Sequence, residues 1–493
     1  MKKEVINKKK NSKLKTFATI GSLFIASSSL LSTFIATGCS SSSAIRFANW
    51  ESYMAPGLMD RLKQSYNVNF PTYATNETIK TKFEGYYDLA VPTAYEVISM
   101  KEDGLLKKID WSVFGQEPFN LYNLDGLNEV PIDNCELDVS NTSSVYNLFA
   151  QATQDALVLY ENETGLNLLE YSIPYFLQDF SFAYKKENYE DKVTWYKANT
   201  DQVVVNLNEI TWDDILFTIS PSNNNLDNRF RPIGSRPMLG SLDDSRNWFD
   251  IARLIETKDE AVVNIDVLQK DETSLISEYR DTYDQAMDYF SKKNVPAWTY
   301  LNTDSGWLSR TLADPNGINA YLGFNGDILY AAAMGAEEFD SYNNDTMEVI
   351  KPKYSFGALD LVVINNNLHG DKEKKVYEIL YDVLLNGANA PKFDGGSEPW
   401  IGYISDDELY YYSSMLNFDY IWYTPVLESI YQFVSSADGS GYEESYWDDP
   451  ASAQFYIDIL QVGKNNNILY EGPLNNLQKS DMHWAYISSK EKL

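Results

Sequence analysis

The sequence predicts an α/β fold built on a doubly wound parallel sheet. Short apolar runs alternate with segments of helical period across residues 45–104, and Pro and Gly punctuate the joins. The composition, 44% hydrophobic and 23% charged, is that of a globular chain. With 493 residues it is too long for one ordinary domain and suits two or three.

The elements follow in order. Ile45-Arg46-Phe47-Ala48 reads as a strand. Pro56 and Gly57 then open a helix with Leu58, Leu62 and Tyr66 four residues apart. Val68 to Tyr73 is a second strand, and Ile79 and Phe83 mark a second helical face. Asp88-Leu89-Ala90-Val91 is a third strand, ending at Pro92. A helix from about Tyr95 stops at Gly104, which suits a C-cap. In such sheets ligands lie outside the carboxyl ends of the strands, so Asn49 to Tyr53 and Pro92 to Tyr95 fall in one crevice. Further on, Lys372 to Leu385 predicts a helix with Val376, Ile379, Leu380 and Val383 on one side, closed by Asn386-Gly387. Asn-, Asp- and Ser-rich segments at 133–145, 221–229, 341–345 and 435–449 read as loops or insertions.

The N-terminus has the form of an export signal. Residues 1–16 hold seven Lys and one Glu, and an apolar run from Phe17 to Ala36 leads to Gly38-Cys39. This pattern resembles a bacterial lipoprotein signal peptide, in which the Cys is lipidated and becomes the new N-terminus. Ala36 stands where that pattern usually has Leu. An uncleaved membrane-spanning helix is the alternative, since 20 mostly apolar residues can just cross a bilayer. Either way the remaining chain lies outside the cytoplasm, on the membrane's outer face. Ser40 to Ser43 form a short tether, and Cys135 is then the remaining thiol.

Charge narrows the partners. The whole chain carries −31, and the part after residue 38 carries −37 from 33 basic and 70 acidic residues. Nucleic acid and anionic lipid headgroups are disfavoured, because both present phosphate; a cationic ligand is favoured. Two His and two Cys cannot build the usual four-ligand zinc site. Eleven Trp, 36 Tyr and 23 Phe supply ample aromatic surface.

The segments Asn49 to Tyr53, Pro56-Gly57-Leu58, Tyr73 to Thr78, Tyr87 to Tyr95 and Gly104 to Asp110 together resemble the start of the spermidine/putrescine-binding proteins of ABC importers. Islands agree in order further along: Ser172 to Tyr175, Thr211 to Leu216, Leu242 to Arg246, Phe324 to Asp327 and Ala358 to Leu361. The resemblance implies two α/β lobes of the type II periplasmic-binding-protein kind, joined by a hinge and closing on a ligand. It implies no cofactor and no catalysis, with a polyamine as ligand and ABC permease subunits as partners. The implied division is a signal peptide at 1–38, a lipidated tether at 39–44 and lobe 1 from 45–178. Lobe 2 would take 179–357, lobe 1 would return at 358–425, and 426–493 would pack on lobe 2. Excess length falls at about 120–165, 255–300 and 390–470.

A polyamine is a methylene chain carrying ammonium groups, so its site needs aromatic walls and acidic ends. By resemblance, Trp50, Tyr53, Tyr95 and Phe324 take the wall positions and Thr93 a hydroxyl contact. Asp244, Asp327 and Asp360 take the acidic positions, Trp422 the place of a family Tyr, and Gln478 a late polar contact. Three positions depart from the pattern: Asn247 stands where the family has Glu, Ala358 where it has Trp or Phe, and Phe324 where it has Trp. Asp327 resembles the putrescine-preferring branch. Three other readings stay open: the same fold holding another cationic molecule, an extracellular carboxylate hydrolase, and an adhesin using the insertions.

Overall fold

The computed structural model describes residues 44–73, 75–115, 119, 121, 145–186, 193–220, 239–256, 276–290, 299–339, 346–388, 401–405, 408–411, 413–436, 446–447, 450–463 and 467–491. The export signal, Cys39, the tether, Cys135 and most of the four polar segments lie outside them.

Strand β1 (Ile45–Trp50) opens the sheet. Helix α1 (Pro56–Tyr66) follows, with Pro in its first turn, Leu58 and Leu62 buried, and Asn67 closing it in the left-handed region at φ 58°. The expected strand at 68–73 is two short ones, β2 (Val68–Asn69) and β3 (Thr72–Tyr73). Pro71 divides them because it has no N–H to give a ladder. Helix α2 (Asn76–Phe83), β4 (Leu89–Ala90), α3 (Ala94–Glu102) and α4 (Gln151–Thr164) complete this part. Gly104 sits at φ 70°, the left-handed turn expected of it.

Next comes the long strand β5 (Ser172–Lys185), every residue of it buried. Helix α5 (Trp212–Ile219) starts with a capping box between Thr211 and Asp214. Then follow β6 (Leu239–Leu242), α6 (Ser245–Glu256), α7 (Ile276–Met287), β7 (Thr299–Asn302), α8 (Ser305–Ala313), β8 (Ala320–Phe324), α9 (Asn325–Phe339) and β9 (Met347–Ile350). The second long strand is β10 (Tyr354–Ile364). Helix α10 (Asp371–Leu380) ends in a single π turn, Tyr381–Leu385, so the helix read from the sequence changes period before Asn386. A hairpin of β11 (Ile401–Ser405) and β12 (Glu408–Tyr411) precedes α11 (Ser413–Ile421), β13 (Thr424–Pro425), α12 (Glu428–Val434), α13 (Pro450–Leu460), β14 (Asn467–Tyr470) and α14 (Asn476–Lys490).

Among the described residues the main sheet runs β2-β1-β4-β10-β5-β8-β6-β7. At one end β1 is parallel to β2 and β4; at the other β6 is parallel to β7 and β8. Between them β5 and β10 pair antiparallel, from Ser172 opposite Val363 to Asp179 opposite Gly357. Each end has its own core. One gathers β1, β4, α1–α4 and α10–α13, with α8 and α9; the other gathers the far half of β5, β6, α5–α7 and α14. The molecule is therefore two doubly wound α/β lobes, with β5 and β10 running from one into the other as the hinge.

Buried polar groups fix that hinge. Asn325 donates to Thr424 at 2.9 Å and to the carbonyls of Ile459 and Leu460 at 3.2 Å, and accepts from the Asp179 amide at 3.1 Å. The fully buried Asp179 carboxylate pairs with Lys351 at 2.9 Å. Breaking such a pair by removing one partner costs about 3–5 kcal/mol.

Candidate functional site

The carboxyl ends of β1, β4, β6 and β8 all open on the junction between the lobes, where doubly wound sheets hold ligands. The turn after β1 is held tightly. Asn49 donates to the Tyr53 carbonyl at 3.0 Å, and the Tyr175 hydroxyl donates to the same carbonyl at 2.6 Å. Asn417 braces this turn by donating to Tyr175 and accepting from the Ala55 amide. Ser52 makes the bend at φ 58°. The turn thus delivers Trp50 and Tyr53 in set positions.

Asp360 on β10 is the first centre. Its carboxylate is 4% exposed. It accepts from Tyr53 Oη at 2.6 Å, Thr93 Oγ1 at 2.7 Å and Gln178 Nε2 at 2.7 Å. Every one of these donors is neutral. Burial therefore raises its pKa, and the three hydrogen bonds offset only part of that. Trp50 stands nearby, its indole donating to the Val91 carbonyl at 3.0 Å and its ring 4.7 Å from that of Tyr73.

Asp327, in the first turn of α9, is the second centre. It accepts from Tyr423 at 3.1 Å and Tyr321 at 3.3 Å, with Ser305 and Ser309 also bonded to it. Burial pushes its pKa up to about 6. Among the described residues no Lys or Arg pairs with Asp327 or Asp360. The rings of Tyr53 and Tyr423 meet edge-on at 5.4 Å and link the two centres. Tyr423 reaches this place because Gly326 has no side chain: a Cβ there would lie 1.2 Å from Tyr423 Cδ1. Trp422 turns the chain at φ 66°, a conformation that costs about 1–2 kcal/mol outside glycine. Its ring is held against Phe418, Tyr446 and Trp447.

Two cations of the second lobe reach α3 of the first. The Arg246 guanidinium lies 3.8 Å over the Tyr95 ring, and Lys479 pairs with the fully buried Glu96 at 2.9 Å. Tyr95 itself is pinned through its hydroxyl by Asn76 at 2.6 Å. The lobes are closed on one another in this structure.

The expected residues divide accordingly. Trp50, Tyr53, Thr93 and Asp360 come together, and Asp327 joins them through Tyr423. Tyr95 lines the same junction but carries Arg246 on its face. Phe324, half-buried, packs against Phe180 at 5.2 Å and Phe356 at 6.2 Å. Three residues stand apart from the two centres. Asp244 is exposed and caps α6, accepting from the Asn247 amide at 3.0 Å. Trp422 packs beneath α11, and its neighbour Tyr423 enters the site in its place. Gln478 closes the capping box of α14 with Asn475. The sequence reading missed Gln178, Tyr321, Tyr423 and Ser305. Only Tyr423 carried a signal, since the family position there is a Tyr.

A family described as hypothetical lipoprotein (MG045 family) matches residues 8–445. The spermidine/putrescine-binding periplasmic protein of Salmonella typhimurium is 34% identical over 107 residues, which are 20% of this chain and 30% of that protein. The protein of the same description from Escherichia coli is 38% identical over 85 residues, 16% of this chain and 23% of its own length. The chain thus matches less than a third of the length of these relatives. Among solved structures, a provisionally assigned spermidine/putrescine ABC transporter of Listeria monocytogenes aligns over 91% of this chain and 99% of its own, at 16% identity and TM-score 0.52. The Tp0655 lipoprotein of Treponema pallidum aligns over 90% and 99%, at 13% identity and TM-score 0.50. These neighbours share the type II binding-protein fold.

Proposed function

This chain belongs to the hypothetical lipoprotein family of the MG045 type, and from that premise we propose that it is the substrate-binding component of an ABC importer, capturing polyamines between its lobes. One observation supports the reading most. Two buried carboxylates, Asp360 and Asp327, are met among the described residues only by neutral donors, on either side of the edge-stacked Tyr53 and Tyr423. A buried carboxylate without a counter-charge is costly. Ammonium groups would supply that charge, while Trp50, Tyr53 and Tyr423 cover the methylenes, each worth about 0.8 kcal/mol when buried. The acidic chain and the likeness to spermidine/putrescine-binding proteins over residues near β1–β4 agree with this. In this reading the ligand leaves unchanged, handed to permease subunits. Cys39 carries the lipid that holds the protein on the outer membrane face. Among the described residues no helix is long and apolar enough to cross a membrane.

Calorimetric titration with putrescine, spermidine and spermine tests the proposal. Asp360→Asn keeps the shape of the site and removes its charge. Losing one partner of a buried pair costs about 2–5 kcal/mol, so affinity should fall roughly 30- to 4,000-fold. Undiminished binding by Asp360→Asn would move the site elsewhere. No heat from the parent with any amine would overturn the ligand class.

A further inference from the structure

We propose that Glu96 and Lys479 form a latch that holds the two lobes together before any ligand arrives, so that the empty protein rests closed and must part this pair to admit one. The inference does not depend on what the ligand is. Glu96 stands in the first turn of α3, on the first lobe, with none of its side chain exposed. Lys479 stands in the first turn of α14, on the second lobe, with its side chain 16% exposed. Its Nζ donates to Glu96 Oε2 at 2.9 Å. The other carboxylate oxygen, Oε1, is buried and accepts no hydrogen bond among the described residues. A buried carboxylate is costly without a counter-charge, and here the opposite lobe supplies it.

Both residues are held in place from behind. The capping box of Asn475 and Gln478 fixes the start of α14, and Met482, Ala485 and Tyr486 bury the helix in the second lobe's core. On the first lobe Asn76 donates to Tyr95 Oη at 2.6 Å and to Thr93 Oγ1 at 3.2 Å, and accepts from the Thr93 amide at 3.1 Å. The Thr93 hydroxyl donates in turn to Asp360. Glu96 thus rides on a turn that is fixed to the wall of the first centre. Arg246 over Tyr95 adds a second contact between the lobes beside it. Neither contact uses Asp360 or Asp327, so closure needs no ligand charge. Opening the cleft separates a bonded pair of opposite charge, which is what makes the pair a barrier to entry.

Small-angle neutron scattering of the ligand-free full chain, in detergent matched out of the contrast, tests this. The parent should have the dimensions calculated for the closed structure, and so should Lys479→Arg, which keeps the charge. Lys479→Glu sets two carboxylates face to face and should expand to an open form. Breaking a buried pair lowers the ratio of closed to open by about 100-fold or more. Lys479→Met removes the cation without adding repulsion; it should open as well, and it serves if the charge reversal fails to fold. Stopped-flow mixing with putrescine gives a second readout. Association should be about 100-fold faster in Lys479→Met than in the parent, because capture no longer waits for the pair to part. A parent that is open without ligand overturns the inference, as does a Lys479→Met that stays closed. A parent that is closed, opens on Lys479→Met and binds no amine leaves the latch standing and overturns the polyamine reading alone.

Discussion

Replacing Asp327 with Asn should make the unliganded protein more stable, and the gain should depend on pH. In the folded chain burial holds this carboxyl near pKa 6, against 3.8 when unperturbed. The folded state therefore binds its proton more tightly than the unfolded state. The sign follows: the group costs nothing below pH 4, where both states are protonated. Its destabilising effect grows as pH rises towards 6 and is complete above that. A shift of about 2 units corresponds to about 3 kcal/mol. Asn keeps the size and one acceptor oxygen, its NH2 can donate to a hydroxyl that turns round, and it cannot ionise, so Asp327→Asn should be more stable than the parent by up to about 3 kcal/mol at pH 7.5. The difference should vanish towards pH 4. Urea unfolding of parent and variant at pH 7.5, 6, 5 and 4 measures this, and comparison with the parent cancels the other buried acids. A variant no more stable than the parent at pH 7.5, or a gap that does not close on acidification, would refute the reasoning. The gain in stability should come with a loss of amine binding, since the same unpaired charge is proposed to draw the ligand.

The remaining predictions concern binding and anchoring. Because the ammonium needs an ionised Asp327, putrescine affinity should decline below about pH 6, approaching tenfold per pH unit, with proton release on binding at pH 6 detectable by calorimetry in buffers of different ionisation enthalpy. Gly326→Ala should drive the Tyr423 ring off α9 and break its bond to Asp327, weakening binding about 10- to 150-fold; crystal structures and titration of the variant check both steps. Cys39→Ala should release the protein from the membrane or leave it as a precursor, and normal lipid labelling of that variant would contradict anchoring at this residue.

Much of the first lobe was legible because its elements are local. Pro56 at a helix start, Leu58 and Leu62 on one face and Gly104 past a helix end are decisions made within a few residues. The two centres were legible only through resemblance, and unevenly. Asp360, expected from the resemblance, lies at the first centre, whereas Gln178, which bonds it from across the β5–β10 pair 182 residues away, leaves no trace in local sequence. Position 423 was missed by one residue, because the left-handed turn at Trp422 decides which of two adjacent aromatics faces inward. Asp244 and Gln478 have the residue types of ligand contacts, and each also accepts from a backbone N–H at the start of a helix, two roles that the residue type alone does not separate. Arg246 over Tyr95 was invisible because the pairing crosses between lobes.

The placement of β10 between β4 and β5 has a bearing on how the chain is made. The first lobe's sheet lacks its inner strand until residues 354–364 arrive, since Val363 pairs with Ala90 far back in the chain. As synthesis proceeds, the N-terminal third can form helices but cannot close its sheet, and contacts of such sequence separation form slowly. For the export proposed above this delay is an advantage, because the chain stays unfinished while its first residues are passed across. Moving those eleven residues to follow β4 directly would let the lobe complete itself early, and the sheet would then set before translocation was done.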